Sequence, residues 1–218
     1  ANGYGVEKNC SAALNLFDQA IKQGSVEALC NLGLMYENGE GVGPDDNKAL
    51  ELYQQAAKQN YAPAQVSLGR MYMRGKGVVK NDEQAIDLFQ KAAAQGNARA
   101  QINLGWMYQN GFGIPKNDEK ALELYQQAAN QGDAEAKSYL ARIYEDVYNN
   151  REQAVKLYKE AAEQGDAKAQ NTMGSILLNS YKLNNGSRVS IYGETTEEEK
   201  KQAVAWYRKA AEQGLAIA

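Results

Sequence analysis

The chain has 218 residues, of which 44% are hydrophobic and 23% charged, and its formal net charge is −3. This balance is typical of a folded globular chain, and no apolar run is long enough to predict a membrane-spanning helix. The mixed, slightly acidic charge, without a long basic run, argues against nucleic acid or anionic lipid as a partner.

One helical segment, which we call helix B, recurs six times. Each copy has an alanine, an aromatic residue four positions later and a second small residue after a further three, and the period is about 36 residues, typical of helical repeat arrays. A glycine, or in one copy Asn60, follows each copy, as expected where a helix ends in a left-handed residue. We expect the aromatic residues to be core: Phe17, Tyr53, Phe89, Tyr125, Tyr158 and Tyr207.

A second segment, helix A, lies between these copies and reads Ala-x3-Leu-Gly-x-Met-Tyr in its clearest form. Apolar residues at positions i, i+4, i+7 and i+8 predict one buried helix face. A glycine inside a helix, such as Gly33, costs about 1 kcal/mol relative to alanine. Its recurrence therefore predicts close packing at that position. The copies begin at Ala28, Ala64, Ala100, Ala136 and Ala169.

Glycine-x-glycine turns join helix A to helix B at Gly39, Gly75 and Gly111, with a further copy at Gly3. A phosphate-binding loop would need a preceding strand. Here a helix precedes each copy, so we interpret the motif as a structural turn. We predict that helix B then starts at side-chain caps, which are Asn81-Asp82, Asn117-Asp118 and the capping box Thr196-x-x-Glu199.

These motifs, in this order and spacing, resemble the Sel1-like repeats, which are related to tetratricopeptide repeats. The resemblance covers nearly the whole chain. It implies an all-α fold, a right-handed α-solenoid of antiparallel helix pairs, with a concave groove lined by helix A. We expect residues 1–218 to form one array with units at about 1–24 (partial), 25–60, 61–96, 97–132, 133–165 and 166–214.

Two segments depart from the repeat. The stretch 145–150 lacks the glycine turn and is shorter, and an insertion lies near 179–196. The insertion is interpreted either as a tolerated surface loop or as a loop that contacts a partner. The second interpretation would use Tyr181, Arg188 and Tyr192.

Exposed helix A positions are the predicted binding surface. By resemblance to tetratricopeptide repeats, one stripe of helix A faces the groove, and Arg70, Trp106 and Arg142 occupy one phase of it. Arginine and tryptophan are enriched at binding hot spots, although Trp106 could instead pack on a neighbouring helix while both arginines are merely solvated. Positions one turn earlier are expected to share the stripe: Cys30, Val66, Ile102, Ser138 and Asn171. One turn later, the predicted partner contacts are Met73, Arg74, Gln109 and Asn110.

Catalysis is not expected. The chain has no histidine, which removes the commonest general base and most zinc sites, so no catalytic residue, metal or cofactor is predicted. Cys10 and Cys30 flank one helix and are either two free thiols or one disulfide. We expect another protein or a peptide as partner, bound by a bacterial adaptor or host-interaction factor; the alternative is an immunity-type inhibitor that blocks a cognate enzyme.

Overall fold

A computed structural model describes residues 10–178 and 196–214. These residues form eleven α-helices and contain no strand. Helices α1, α3, α5, α7, α9 and α11 are copies of helix B, and the other five are copies of helix A. The bounds are α1 Cys10–Lys22, α2 Val26–Asn38, α3 Asp46–Lys58, α4 Ala62–Arg74, α5 Asp82–Ala94, α6 Ala98–Asn110, α7 Asp118–Asn130, α8 Ala134–Asp146, α9 Arg151–Glu163, α10 Ala167–Leu177 and α11 Glu197–Glu212.

Most of the helices begin at a residue whose side chain caps the helix; α4, which follows Tyr61 and has a proline in its first turn, has no such cap. Asn81 accepts a 3.0 Å hydrogen bond from the N–H of Gln84, and Asn117 accepts one of 2.8 Å from the N–H of Lys120. Thr196 and Glu199 form a complete capping box. The predicted caps are therefore confirmed, and each satisfies an N–H that has no partner inside its helix.

The ends of helix B also follow the prediction. The second residue after the end of each B helix has a positive φ angle, which ranges from 60° at Asn60 to 97° at Gly165. Asparagine is the residue that tolerates this left-handed conformation best after glycine. Asn60 thus keeps the repeat geometry without a glycine.

Neighbouring helices pack in sequence order within two compact units, one ending at Lys116 and the other beginning at Asn117. Helices of 13 residues, such as α2 and α3, are only marginally stable alone, so burial between neighbours supplies their stability. In the first unit, one apolar cluster joins α2, α3 and α4 around the fully buried Tyr53 and Ala56. In the second, Tyr125, Leu140 and Ile143 are buried in the same way. The predicted fold class, an all-α solenoid fold of consecutive helix pairs, is confirmed.

The mid-helix glycines receive the aromatic rings of helix B. A Cβ atom on Gly33 would lie 2.8 Å from the Tyr53 ring, and one on Gly174 would lie 2.8 Å from the Tyr207 ring. Nonbonded contacts of a Cβ carbon are essentially never this short, so the glycine leaves the space that each ring fills. The predicted close packing is confirmed. Of the six aromatic residues, Tyr53, Phe89, Tyr125 and Tyr158 are buried, whereas Phe17 and Tyr207 are half-buried.

A polar network in the first unit links one helix pair to the next. The buried Gln65 donates a 2.9 Å hydrogen bond to Oδ1 of Asn60 and accepts one of 2.9 Å from Nε2 of Gln95. In the second unit, Gln213 donates to Oε1 of the buried Gln170 at 3.0 Å. Buried amides that find partners in only one register favour that register over others.

The glycine turns also connect neighbouring pairs. Lys76, the middle residue of the Gly75–Gly77 turn, donates to the Glu37 carbonyl at 3.3 Å and pairs with Asp46 at 3.1 Å. The carboxylate of Glu37 in turn accepts a 2.9 Å hydrogen bond from the Tyr53 hydroxyl. Burial raises the pKa of Tyr53, and the Glu37 charge and hydrogen bond raise it further. The turn is structural, as predicted.

Candidate interaction surface

The first unit presents a basic patch on α4. Arg70 is half-buried, and one turn later Met73 is half-buried and Arg74 exposed. These side chains lie at the C-terminal end of the helix, where cations are favourable because of the helix dipole. All three predicted residues are therefore at least partly accessible on one helix.

The same unit carries an aromatic pair at the end of α6. The ring of Trp106 stacks on that of Phe112, with 4.9 Å between the centroids and 23° between the planes. Phe112 belongs to the Gly111–Gly113 turn and is 42% exposed. Trp106 therefore packs on the turn that follows its own helix, and the pair forms an apolar surface. Beside it, the exposed Asn110 donates a 2.8 Å hydrogen bond to the Trp106 carbonyl, and Gln109 is half-buried.

The predicted stripe is wrong at three positions of helix A. The positions one turn before Arg70 and its equivalents were expected to face the groove, but Cys30, Val66 and Ile102 are buried, with at most 8% of each residue exposed. They pack into the core because two consecutive helices cover that side of helix A. In α8 and α10 the same row holds Ser138 and Asn171, which are half-buried. The accessible surface is therefore narrower than the sequence pattern indicates.

Arg142, the third predicted anchor, lies in the second unit and borders a small cleft. Its guanidinium carbon is 5.2 Å from the centroid of the Tyr139 ring, and Nζ of Lys168 is 5.9 Å from the same centroid. Tyr139 also stacks on Tyr125, with centroids 5.1 Å apart. The cleft has a volume of about 140 Å³ and is lined by Glu135, Ser138, Tyr139, Arg142, Tyr158, Lys168, Ala169 and Thr172.

Sequence reasoning missed Tyr139 and Lys168, although a signal for Tyr139 was present. Three positions after the alanine that opens each helix A motif, the other repeats have Asn31, Ser67, Asn103 and Thr172. Tyr139 is the one aromatic residue at this otherwise small, polar position. A comparison of repeats position by position would have singled it out.

The described residues contain no group of three or more histidine, cysteine, aspartate or glutamate side chains that could hold a metal ion. Cys30 is a free, buried thiol, and its pKa is raised to about 11, first by burial and then by the charge of Glu27. None of the described helices is long and apolar enough to cross a membrane. Tyr181, Arg188 and Tyr192 lie outside the described residues, as do the turn at Gly3 and the side chain of Cys10.

Six segments of the chain match the Sel1 repeat: residues 1–25, 26–61, 62–97, 98–133, 134–166 and 189–215. The chain belongs to the Sel1 repeat family. The resemblance seen in its motifs is thus confirmed. No curated protein matches the chain.

Solved Sel1 structures are similar to this chain over most of its length. A Sel1 repeat protein from Oxalobacter formigenes has a TM-score of 0.78 at 30% identity, covering 94% of this chain and 82% of its own. A protective antigen of uropathogenic Escherichia coli with an SLR fold has a TM-score of 0.73 at 36% identity. That match covers 91% of this chain, which spans only 40% of the antigen structure.

An immunity protein, Pa5087 from Pseudomonas aeruginosa, is more distantly similar. Its TM-score is 0.65 at 26% identity, and the match covers 98% of this chain and 79% of the immunity protein. The fold of this chain is thus similar to that of an immunity protein as well as to that of a Sel1 repeat protein.

Proposed function

We propose that this Sel1 repeat protein is a non-enzymatic scaffold that binds a peptide or another protein through the accessible face of its A helices. One observation carries the proposal. The packing positions keep similar residue types from repeat to repeat, whereas the position after the mid-helix glycine, or after Ala141 in α8, changes to Leu34, Arg70, Trp106, Arg142 and Ser175. Packing imposes the same constraint on the core positions of every repeat, whereas positions on a binding surface can differ between repeats.

The residue types at this position suit recognition of a protein. Trp106 and the arginines belong to the types most enriched among binding hot spots. The stacked pair of Trp106 and Phe112 offers a rigid apolar surface, and rigid side chains lose little conformational entropy on binding. Arg70 and Arg142 supply planar donors that match carboxylates.

A second candidate is an immunity-type protein that binds and blocks a cognate enzyme. Its support is the likeness over nearly the whole chain to the Pseudomonas aeruginosa immunity protein. This candidate uses the same accessible surface and differs in the partner. It predicts that the partner loses catalytic activity when bound.

A photo-crosslinking experiment tests the proposal in cells of the source organism. The photoreactive residue p-benzoylphenylalanine replaces Arg74, exposed on α4, or, as a matched control, Asp87, exposed on α5. We expect one discrete crosslinked protein from position 74 and none from position 87. Equal crosslinking at both positions, or none at either, would overturn the proposal. An enzyme that is inhibited by the purified chain would favour the immunity-type candidate.

A further inference from the structure

We infer that the cleft between α8 and α10, defined by Tyr139, Arg142 and Lys168, binds a glutamate side chain of the partner protein. This inference rests on the proposed function and names the chemistry that one of its sites recognises. It involves only residues of the second unit. The geometry, the size and the charge of the cleft each contribute to it.

The geometry brings two cations to one aromatic ring. Arg142 on α8 and Lys168 at the start of α10 both lie over Tyr139, at 5.2 Å and 5.9 Å from the ring centroid. Attraction to the ring holds each cation near the cleft. The stack of Tyr139 on Tyr125, with planes 13° apart, fixes the ring itself. The cations are thus preorganised before a ligand arrives, which lowers the entropy cost of binding.

The size of the cleft selects a single side chain. Its volume of about 140 Å³ is well below the 300–1,000 Å³ or so of small-molecule pockets. Its walls include the ring of Tyr139 and the small residues Ala169 and Thr172. These surfaces suit the two methylene groups of a glutamate, while the carboxylate reaches the cations at the edge.

The charge of the cleft favours an anionic occupant. Two lining residues, Arg142 and Lys168, are basic, and one, Glu135, is acidic. Asp166 is nearby, but its Oδ1 caps α10 through the N–H of Ala169 and accepts a 2.8 Å hydrogen bond from Ser138. The lining itself thus carries one more positive than negative charge, and the Asp166 carboxylate, held at the start of α10, keeps its charge beside it. A guanidinium and a carboxylate pair with two parallel hydrogen bonds, which gives such a contact its specificity.

A nuclear magnetic resonance titration of the full chain tests the inference with a short peptide as probe. The probe is acetyl-Ala-Glu-Ala-amide, and acetyl-Ala-Gln-Ala-amide is the uncharged match. We expect saturable shifts of the Tyr139 ring and the Thr172 methyl with the glutamate peptide and at least tenfold weaker binding of the glutamine peptide. Equal shifts with both peptides, or no saturation with either, would overturn the inference. So would tighter binding of free acetate or inorganic phosphate, since that marks a site for small anions.

Variants of matched charge complete the test. The double variant Arg142→Gln with Lys168→Gln should bind the glutamate peptide at least tenfold more weakly. The control double variant, Lys156→Gln with Lys159→Gln, changes two exposed residues of α9 and should leave the affinity for this peptide unchanged. Tyr139→Ser, which introduces the residue type found at Ser67, should also weaken binding while the helical circular dichroism is retained. Equal losses in both double variants would contradict the inference. If the peptide fails to bind but position 74 still crosslinks a partner, the inference falls and the proposed function stands.

Discussion

The ring of Phe89 occupies the space where Gly69 would carry a side chain: a Cβ atom on Gly69 would lie 2.7 Å from Cε1 of the ring. The pair joins α4 to α5. In α8 the equivalent position is Ala141, and its aromatic partner Tyr158 is 7% exposed, where Phe89 is fully buried. A methyl group at this position thus occurs in the repeat whose ring is slightly more exposed.

Gly69→Ala is expected to destabilise the chain. Overpacking a core costs about 1–3 kcal/mol, and the gain in helix propensity returns about 1 kcal/mol, so the free energy of unfolding should fall by roughly 1 kcal/mol. Urea unfolding measures it. The Phe89→Leu background removes the clash and should abolish most of the loss. An Ala substitution that stabilises the chain in the native background would contradict the packing described above.

Gln65→Leu is expected to be nearly neutral. The position is 2% exposed, and the equivalent residue in α2, Leu29, is also buried. Asn60 and Gln95 are exposed, so both can bond to water when the Gln65 amide is removed, and the change should stay within about 1 kcal/mol.

Gln65→Ala is the matched control. This variant lacks the amide and also leaves a cavity. It should therefore lower the free energy of unfolding clearly more than Gln65→Leu does, because the cavity adds to the lost contacts. Chemical denaturation of the three proteins provides the comparison. Equal and large losses in both variants would mean that the amide network, and not the filled volume, stabilises this position.

The Cys30 thiol should be almost unreactive in the folded chain. With a pKa of about 11, only about one thiol in a thousand is the reactive thiolate at pH 8, and burial blocks access to it. In a Cys10→Ser background, reaction with Ellman's reagent should be at least a hundredfold slower in buffer than in urea. A fast reaction without denaturant would show that α2 opens readily.

Acidification should loosen the start of α11. Two hydrogen bonds from Thr196, of 2.7 Å from its N–H and 2.8 Å from its hydroxyl, lower the pKa of Glu199. Because the carboxyl pKa is lowered in the folded state, Glu199 stabilises that state at pH values above its ordinary pKa of about 4.3. This contribution is lost as the pH falls through the pKa of the folded state. Carbon chemical shifts of Lys200 and Lys201 should lose helical character in that range. The Glu199→Gln variant should lack this part of the change; an identical pH dependence in both proteins would rule out the capping box as its cause.

Much of the fold could be predicted from the sequence because packing repeats. The left-handed Asn60, the caps of α5 and α7 and the fit of Tyr53 on Gly33 each recur with the motif that encodes them. The surface could be predicted less well. Helical period places Val66 and Arg70 on one stripe of α4, but the side that the neighbouring helices cover depends on tertiary packing. The cleft at Tyr139 depends on Arg142 and Lys168, which come from two different repeats, so no single repeat pattern indicates it.

The central claim is that the accessible face of the A helices binds a partner protein. Isothermal titration calorimetry of the crosslinked partner, once purified, tests it most directly. The variant Arg70→Ala with Trp106→Ala should bind at least tenfold more weakly than the unmodified chain. The control Glu51→Ala with Asp87→Ala, exposed on α3 and α5, should bind as the unmodified chain does. Unchanged affinity of the first variant, or equal losses in both, would contradict the account.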